Sequence, residues 1–82
     1  MDKRIVYDPH ATLRMRQRGF KPADVEWILE TGTSAYPGAD VQAEPRVAKE
    51  RMIRGHKARV VYLDRADHYY VITVFWVTPG GR

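Results

Sequence analysis

Residues 69–77, Tyr-Tyr-Val-Ile-Thr-Val-Phe-Trp-Val, constrain the fold more than any other stretch. β-Branched and aromatic side chains dominate it, and these fit a pleated surface. Apolar residues fall on both faces of the alternation, so the segment reads as a strand inside a sheet rather than at its edge. A chain of 82 residues must therefore supply neighbours for this strand and a layer to cover it.

The neighbours are legible with decreasing clarity. Residues 58–63, Ala-Arg-Val-Val-Tyr-Leu, read as a strand that follows a turn at Gly55-His56-Lys57 and precedes a polar connection over 64–68. Residues 46–54 suit a helix by spacing, but their place before a hairpin favours an irregular strand. Ile5-Val6-Tyr7 reads as a short edge strand. Residues 33–45 contain Tyr-Pro-Gly-Ala-Asp and a second proline, so they read as loop with a short strand near Ala35. Pro79-Gly80-Gly81 ends the last strand.

The covering layer comes from two helices. Asp8 is a good N-cap, Pro9 suits the first helical position, and Gly19 supplies the left-handed residue after a helix over 9–18. A second helix starts at Pro22, with Asp24 favourable in its first turn and Phe20 placed to staple onto Val25. Lys21 is a poor N-cap, and Gly32 is the stop signal. No repeat or linker divides the chain. The expectation is one domain over 1–82, α+β, with two N-terminal helices packed on an antiparallel sheet of three to four strands.

Charge is distributed unevenly. The net charge is +4 and the pI near 9.7. Residues 10–18 hold Arg14, Arg16 and Arg18 with no acid. Residues 46–59 hold Arg46, Lys49, Arg51, Arg54, Lys57 and Arg59 against Glu50. The second helix carries Asp24, Glu26 and Glu30. Two basic patches with an acidic flank make an oriented field that draws a polyanion from one side.

Several chemistries lack their parts. There is no cysteine, hence no disulfide or thiolate site. His10, His56 and His68 lie far apart with no ligand-spaced acid, so no metal or other cofactor is expected. Pro79-Gly80-Gly81 precedes no helix, unlike a phosphate loop, and Ser34 is the sole serine. No apolar run reaches membrane-span length, and Met-Asp-Lys-Arg leads into no signal core. No membrane association and a cytoplasmic location are therefore expected.

What remains is base, cation and aromatic. His10, Arg14 and Arg18 recur every four residues along one helix face. A first-turn histidine sits at the positive end of the helix dipole, which suits a neutral base beside two permanent cations. These are parts for metal-free RNA cleavage: a base for the 2′-hydroxyl and guanidinium groups for the phosphorane charge. Tyr62, Tyr69, Tyr70 and Trp76 stack an unpaired base if their side of the sheet is open, and otherwise fill the core. Thr73 is either a strand-forming residue or a hydroxyl that positions phosphate.

His10-Ala-x-x-Arg14-x-x-x-Arg18-Gly19-Phe20, Val25 and Leu29, the basic residues before Arg59-Val-Val-Tyr62, and Val71-Ile-Thr-Val74 together resemble domain-of-unknown-function family 4258 (DUF4258). Its pattern is approximately H-A-x-x-R-M-x-x-R-G-I near the start and V-I-T-V at the end. This chain departs from it in Phe20 for isoleucine, in Lys21 where serine is frequent, and in its very basic 46–59 segment. That family resembles the RelE-like and barnase–EndoU–colicin (BECR) class of small ribonuclease toxins. The resemblance implies metal-independent RNA cleavage, on free or ribosome-bound RNA, and a cognate antitoxin protein. It implies His10 as acid–base residue, Arg14 and Arg18 on the phosphate, and Thr73 in the site. From the charge pattern itself rather than from the family, Arg46, Lys49, Arg51, Arg54, Lys57 and Arg59, with Tyr62, are expected to line the RNA. A non-catalytic RNA- or DNA-binding module, and an interaction domain without nucleic-acid activity, stay open beside it. So does a homodimer, since a small chain with edge strands presents pairing sites.

Overall fold

The structure, a computed structural model, describes residues 3–35 and 46–77. In chain order these form β1 (Arg4–Tyr7), α1 (Pro9–Arg18), α2 (Pro22–Thr31), β2 (Thr33–Ala35), β3 (Val47–Ile53), β4 (His56–Asp64) and β5 (His68–Trp76). The loop expected over 36–45 and the end signal at 79–81 lie outside the described residues.

One sheet runs in the order β1-β5-β4-β3-β2. Neighbours from β2 to β5 are antiparallel, whereas β1 lies parallel to β5, Arg4 opposite His68 and Tyr7 opposite Val71. The architecture is therefore α+β, as expected, but the sheet has five strands and is mixed. The expected three- to four-stranded antiparallel sheet undercounts it for a physical reason. β1 meets β5 only after the chain has passed through both helices and three strands, and a four-residue strand carries no signal of its distant partner. β5 takes the interior position that its two-sided apolar pattern calls for.

Helix α1 begins and ends where its local signals lie. The Asp8 carboxylate accepts from the His10 amide (2.8 Å), and Gly19 adopts φ +79° at the other end. Helix α2 lacks a side-chain N-cap of the usual kind; instead Asp24 Oδ2 accepts from the Lys21 amide (2.9 Å). The β3–β4 turn is two residues, Arg54 (φ +49°) and Gly55 (φ +85°), one position earlier than expected. Positive φ at both positions matches the right-handed twist of the flanking strands.

Both helices pack on one sheet face. Ala11 and Met15 of α1, and Val25, Ile28 and Leu29 of α2, meet Ile53, Ala58, Val60, Tyr62, Val71 and Val74, with Phe20 between the helices. Burying each large aliphatic side chain stabilises by about 1.5–3 kcal/mol. Phe20 stacks on Trp76 with centroids 4.2 Å apart, and the Trp76 indole donates to the Arg18 carbonyl (2.9 Å). These two contacts fasten the end of α1 to the end of β5. No described helix is long and apolar enough to cross a membrane.

Candidate functional site

The site is built where β1 stops and α1 takes over along the side of β5. β1 covers β5 only from His68 to Val71. Beyond that point the β5 carbonyls have lost their strand partner, and α1 supplies substitutes. The Asp8 amide donates to the Val71 carbonyl (2.9 Å), and Arg18 Nη1 donates to the Val74 carbonyl (2.9 Å).

Two carbonyls three residues apart cannot point to the same edge of a regular strand. A bulge resolves this. Val61 pairs with Thr73 and Tyr62 with Val71, so Ile72 is an extra residue in β5. Before it, the His68 carbonyl faces the β4 side, accepting from Arg65; after it, the Val77 amide faces β4, donating to Lys57. The shift turns both Val71 and Val74 carbonyls toward α1 and both side chains into the core.

The same shift decides where Thr73 points. Its partner Val61 is not part of the helix-side core, and Val60 with Val74, which are, occupy the next positions. Thr73 therefore lies on the face away from the helices, together with Tyr70. The structure does not bring Thr73 to the helix row, contrary to the site expected from the resemblance.

His10 is exposed, Arg14 half-buried and Arg18 exposed. Arg14 Nη1 donates to Gln17 Oε1 (2.9 Å), a neutral partner one turn on. Arg18 spends one guanidinium nitrogen on Val74, so it is a structural strap as well as a cation. At the head of the row stands an arrangement the sequence did not disclose. The Tyr70 hydroxyl donates to Asp8 Oδ2 (2.7 Å) while Asp8 Oδ1 accepts the His10 amide (2.8 Å). The Tyr70 hydroxyl foremost, and then the His10 amide, hold the Asp8 carboxyl below the usual carboxylate range. Reciprocally, the bond to Asp8 pushes the Tyr70 hydroxyl up. These partners are 62 residues apart, and no local pattern signals them.

The 46–59 segment is placed differently from expectation. Residues alternate across β3, and Lys49 and Arg51 fall on the helix side. Lys49 Nζ donates to the Leu29 carbonyl (2.8 Å). Arg51 makes a long contact to the Thr31 carbonyl (3.5 Å) and lies over the Trp27 ring (4.7 Å). Arg54 bonds Asp24 Oδ1 (3.1 Å) and the Gly19 carbonyl (3.1 Å). Partial burial opposes ionisation of Asp24, but the Lys21 amide and Arg54 outweigh it and hold the carboxyl low. On the other face Arg59 grips Glu50 Oε1 through Nε (3.1 Å) and Nη2 (2.9 Å), with Lys57 at 3.6 Å. Arg59 above all keeps the Glu50 carboxyl below its ordinary range.

Arg46 is exposed just before β3. Tyr62 is 4% exposed in the core, edge-on to Tyr69 at 5.4 Å. A ring in that position offers no face to an RNA base. A cavity of about 340 Å³ lies at the β3–β4 turn, lined by Met52, Gly55, His56, Lys57 and Val77. No cluster of three potential metal ligands occurs among the described residues.

The family described as "Domain of unknown function (DUF4258)" matches residues 7–76. No curated protein and no solved structure matches the chain.

Proposed function

We propose that this chain, which belongs to the DUF4258 family, is a metal-independent endoribonuclease of toxin type that holds an RNA phosphate along α1. One observation supports this reading above the others. The cations of 46–59 are largely engaged with Asp24, Glu50 and main-chain carbonyls, whereas Arg14 and Arg16 on α1 meet no carboxylate among the described residues. An arginine without an internal acid keeps its charge and fork for an incoming phosphate.

His10, exposed at the head of this row, takes the proton of a ribose 2′-hydroxyl. The alkoxide oxygen then forms its bond to phosphorus as the bond to the 5′ oxygen breaks. The products are a 2′,3′-cyclic phosphate and a 5′-hydroxyl protonated by water. Arg14, with the guanidinium nitrogens of Arg18 not used on Val74, donates to the non-bridging oxygens, where charge accumulates. A cognate protein that covered α1 would silence the activity.

The test is RNA cleavage in EDTA. Wild type cuts and leaves cyclic phosphate ends; His10→Ala loses at least about 100-fold in rate while melting at the same temperature. RNA left whole by wild type, or cut equally by His10→Ala, contradicts the proposal.

A second reading, phosphate binding without cleavage, has its own support in the position of Thr73 on the other sheet face and in the Arg18–Val74 bond. Two of four expected site members are thereby placed elsewhere or partly occupied. In that case retention on RNA falls steeply with salt while the RNA stays intact.

A further inference from the structure

We propose that Tyr70 is a positioning residue for the α1 site, acting through Asp8 on the helix turn that carries His10. The inference rests on reading α1 as the element that handles RNA. Capping α1 requires one carboxylate oxygen, and Asp8 Oδ1 provides it by accepting the His10 amide at 2.8 Å. The second oxygen of an N-cap ordinarily faces water. Here Oδ2 accepts from the Tyr70 hydroxyl at 2.7 Å. The Asp8 amide donates to the carbonyl of Val71, the very next residue of β5.

The junction between β1 and α1 is thus held at two consecutive positions of one strand, one bond through the main chain and one through a side chain. Tyr70 is only half-buried, so water is an available partner for its hydroxyl and the bond is not forced by burial. Its effect is geometric. It fixes the Asp8 rotamer, and with it the direction from which a negative charge meets the first turn and the His10 ring. A base must sit within hydrogen-bond reach of the proton it removes, and small displacements are costly in rate.

The bulge at Ile72 belongs to the same device. It brings the Val74 carbonyl to the same side as that of Val71, so that Arg18 fastens the far end of α1 to the strand whose Tyr70 holds Asp8 at its head.

Tyr70→Phe removes the hydroxyl and keeps the ring, so it separates the bond from the packing. Three quantities are read: melting temperature, kcat and KM on an RNA oligonucleotide, and the His10 ring signals by NMR. The expected result is an unchanged melting temperature to within a few degrees, kcat lowered on the order of 10-fold at constant KM, and displaced His10 ring signals. His10 signals and kcat that stay at wild-type values overturn the proposal. So does a loss confined to melting temperature and KM, which a merely structural tyrosine would give. Wild-type protein that leaves RNA whole removes the nuclease reading, and the His10 signals then still decide the role of Tyr70.

Discussion

Gly32 and Gly19 both follow a helix, and they are glycine for different reasons. Gly19 has φ +79° with nothing within 4 Å of a notional Cβ, so only the dihedral asks for glycine. Gly32 has φ −72°, which any residue adopts, but a Cβ there would stand 2.5 Å from the Ile28 carbonyl and 2.9 Å from that of Glu50. Gly32→Ala is therefore expected to cost about 1–3 kcal/mol by overpacking main chain, and Gly19→Ala about 1 kcal/mol by strain. Denaturant midpoints check both; a Gly32→Ala midpoint at the wild-type value contradicts the close approach. From sequence the two glycines look alike, because proximity to β3 has no local signature.

Asp8 gives a prediction in pH. Its carboxyl titrates lower in the folded chain than in the unfolded one, where an aspartate titrates at about 3.9. The unfolded state then binds more protons across that window, so the stabilisation is complete above the unfolded value and is lost as pH falls through the lower folded value. Asp8→Asn keeps a capping oxygen and should flatten the acid limb of the stability profile. A variant whose acid limb overlays that of wild type would contradict this.

Element ends show what sequence can and cannot specify. The bounds of α1 follow from Asp8, Pro9 and Gly19, all within the helix and its flanks, and they were legible for that reason. The C-terminal end of α2 was legible from Gly32, but what satisfies its last carbonyls was not. Its last turn contains no basic residue, and its carbonyls are met from β3, by Lys49 on Leu29 and Arg51 near Thr31. Cations suit a helix C-terminus because of the macrodipole. Lys49→Met should lower stability by about 1 kcal/mol and speed amide exchange in the last turn of α2 more than in α1. Equal exchange changes in both helices would contradict the assignment. The β5 bulge was equally hidden, since Val71-Ile72-Thr73-Val74 reads as an unbroken strand. That single extra residue moved Thr73 away from the helix row.

Across the whole molecule, the sequence located the charge but not its use. The basic content of 46–59 looked like the larger RNA surface, yet its side chains reach Glu50 across the β3–β4 pair, and Asp24 and the last turn of α2, which are distant in sequence. The smaller group on α1 keeps Arg14 and Arg16 without an acidic partner among the described residues. Strand count failed for a related reason: the parallel β1–β5 pair joins the two ends of the described chain. RNA contacts are therefore expected on α1. The most direct measurement is RNA affinity as a function of salt for two double variants. Arg14→Gln with Arg16→Gln should weaken binding and reduce the slope of log affinity against log salt by about two, while Lys49→Gln with Arg59→Gln leaves the slope unchanged. The reverse pattern, with the slope lost in the β3–β4 variant and kept in the α1 variant, would contradict it.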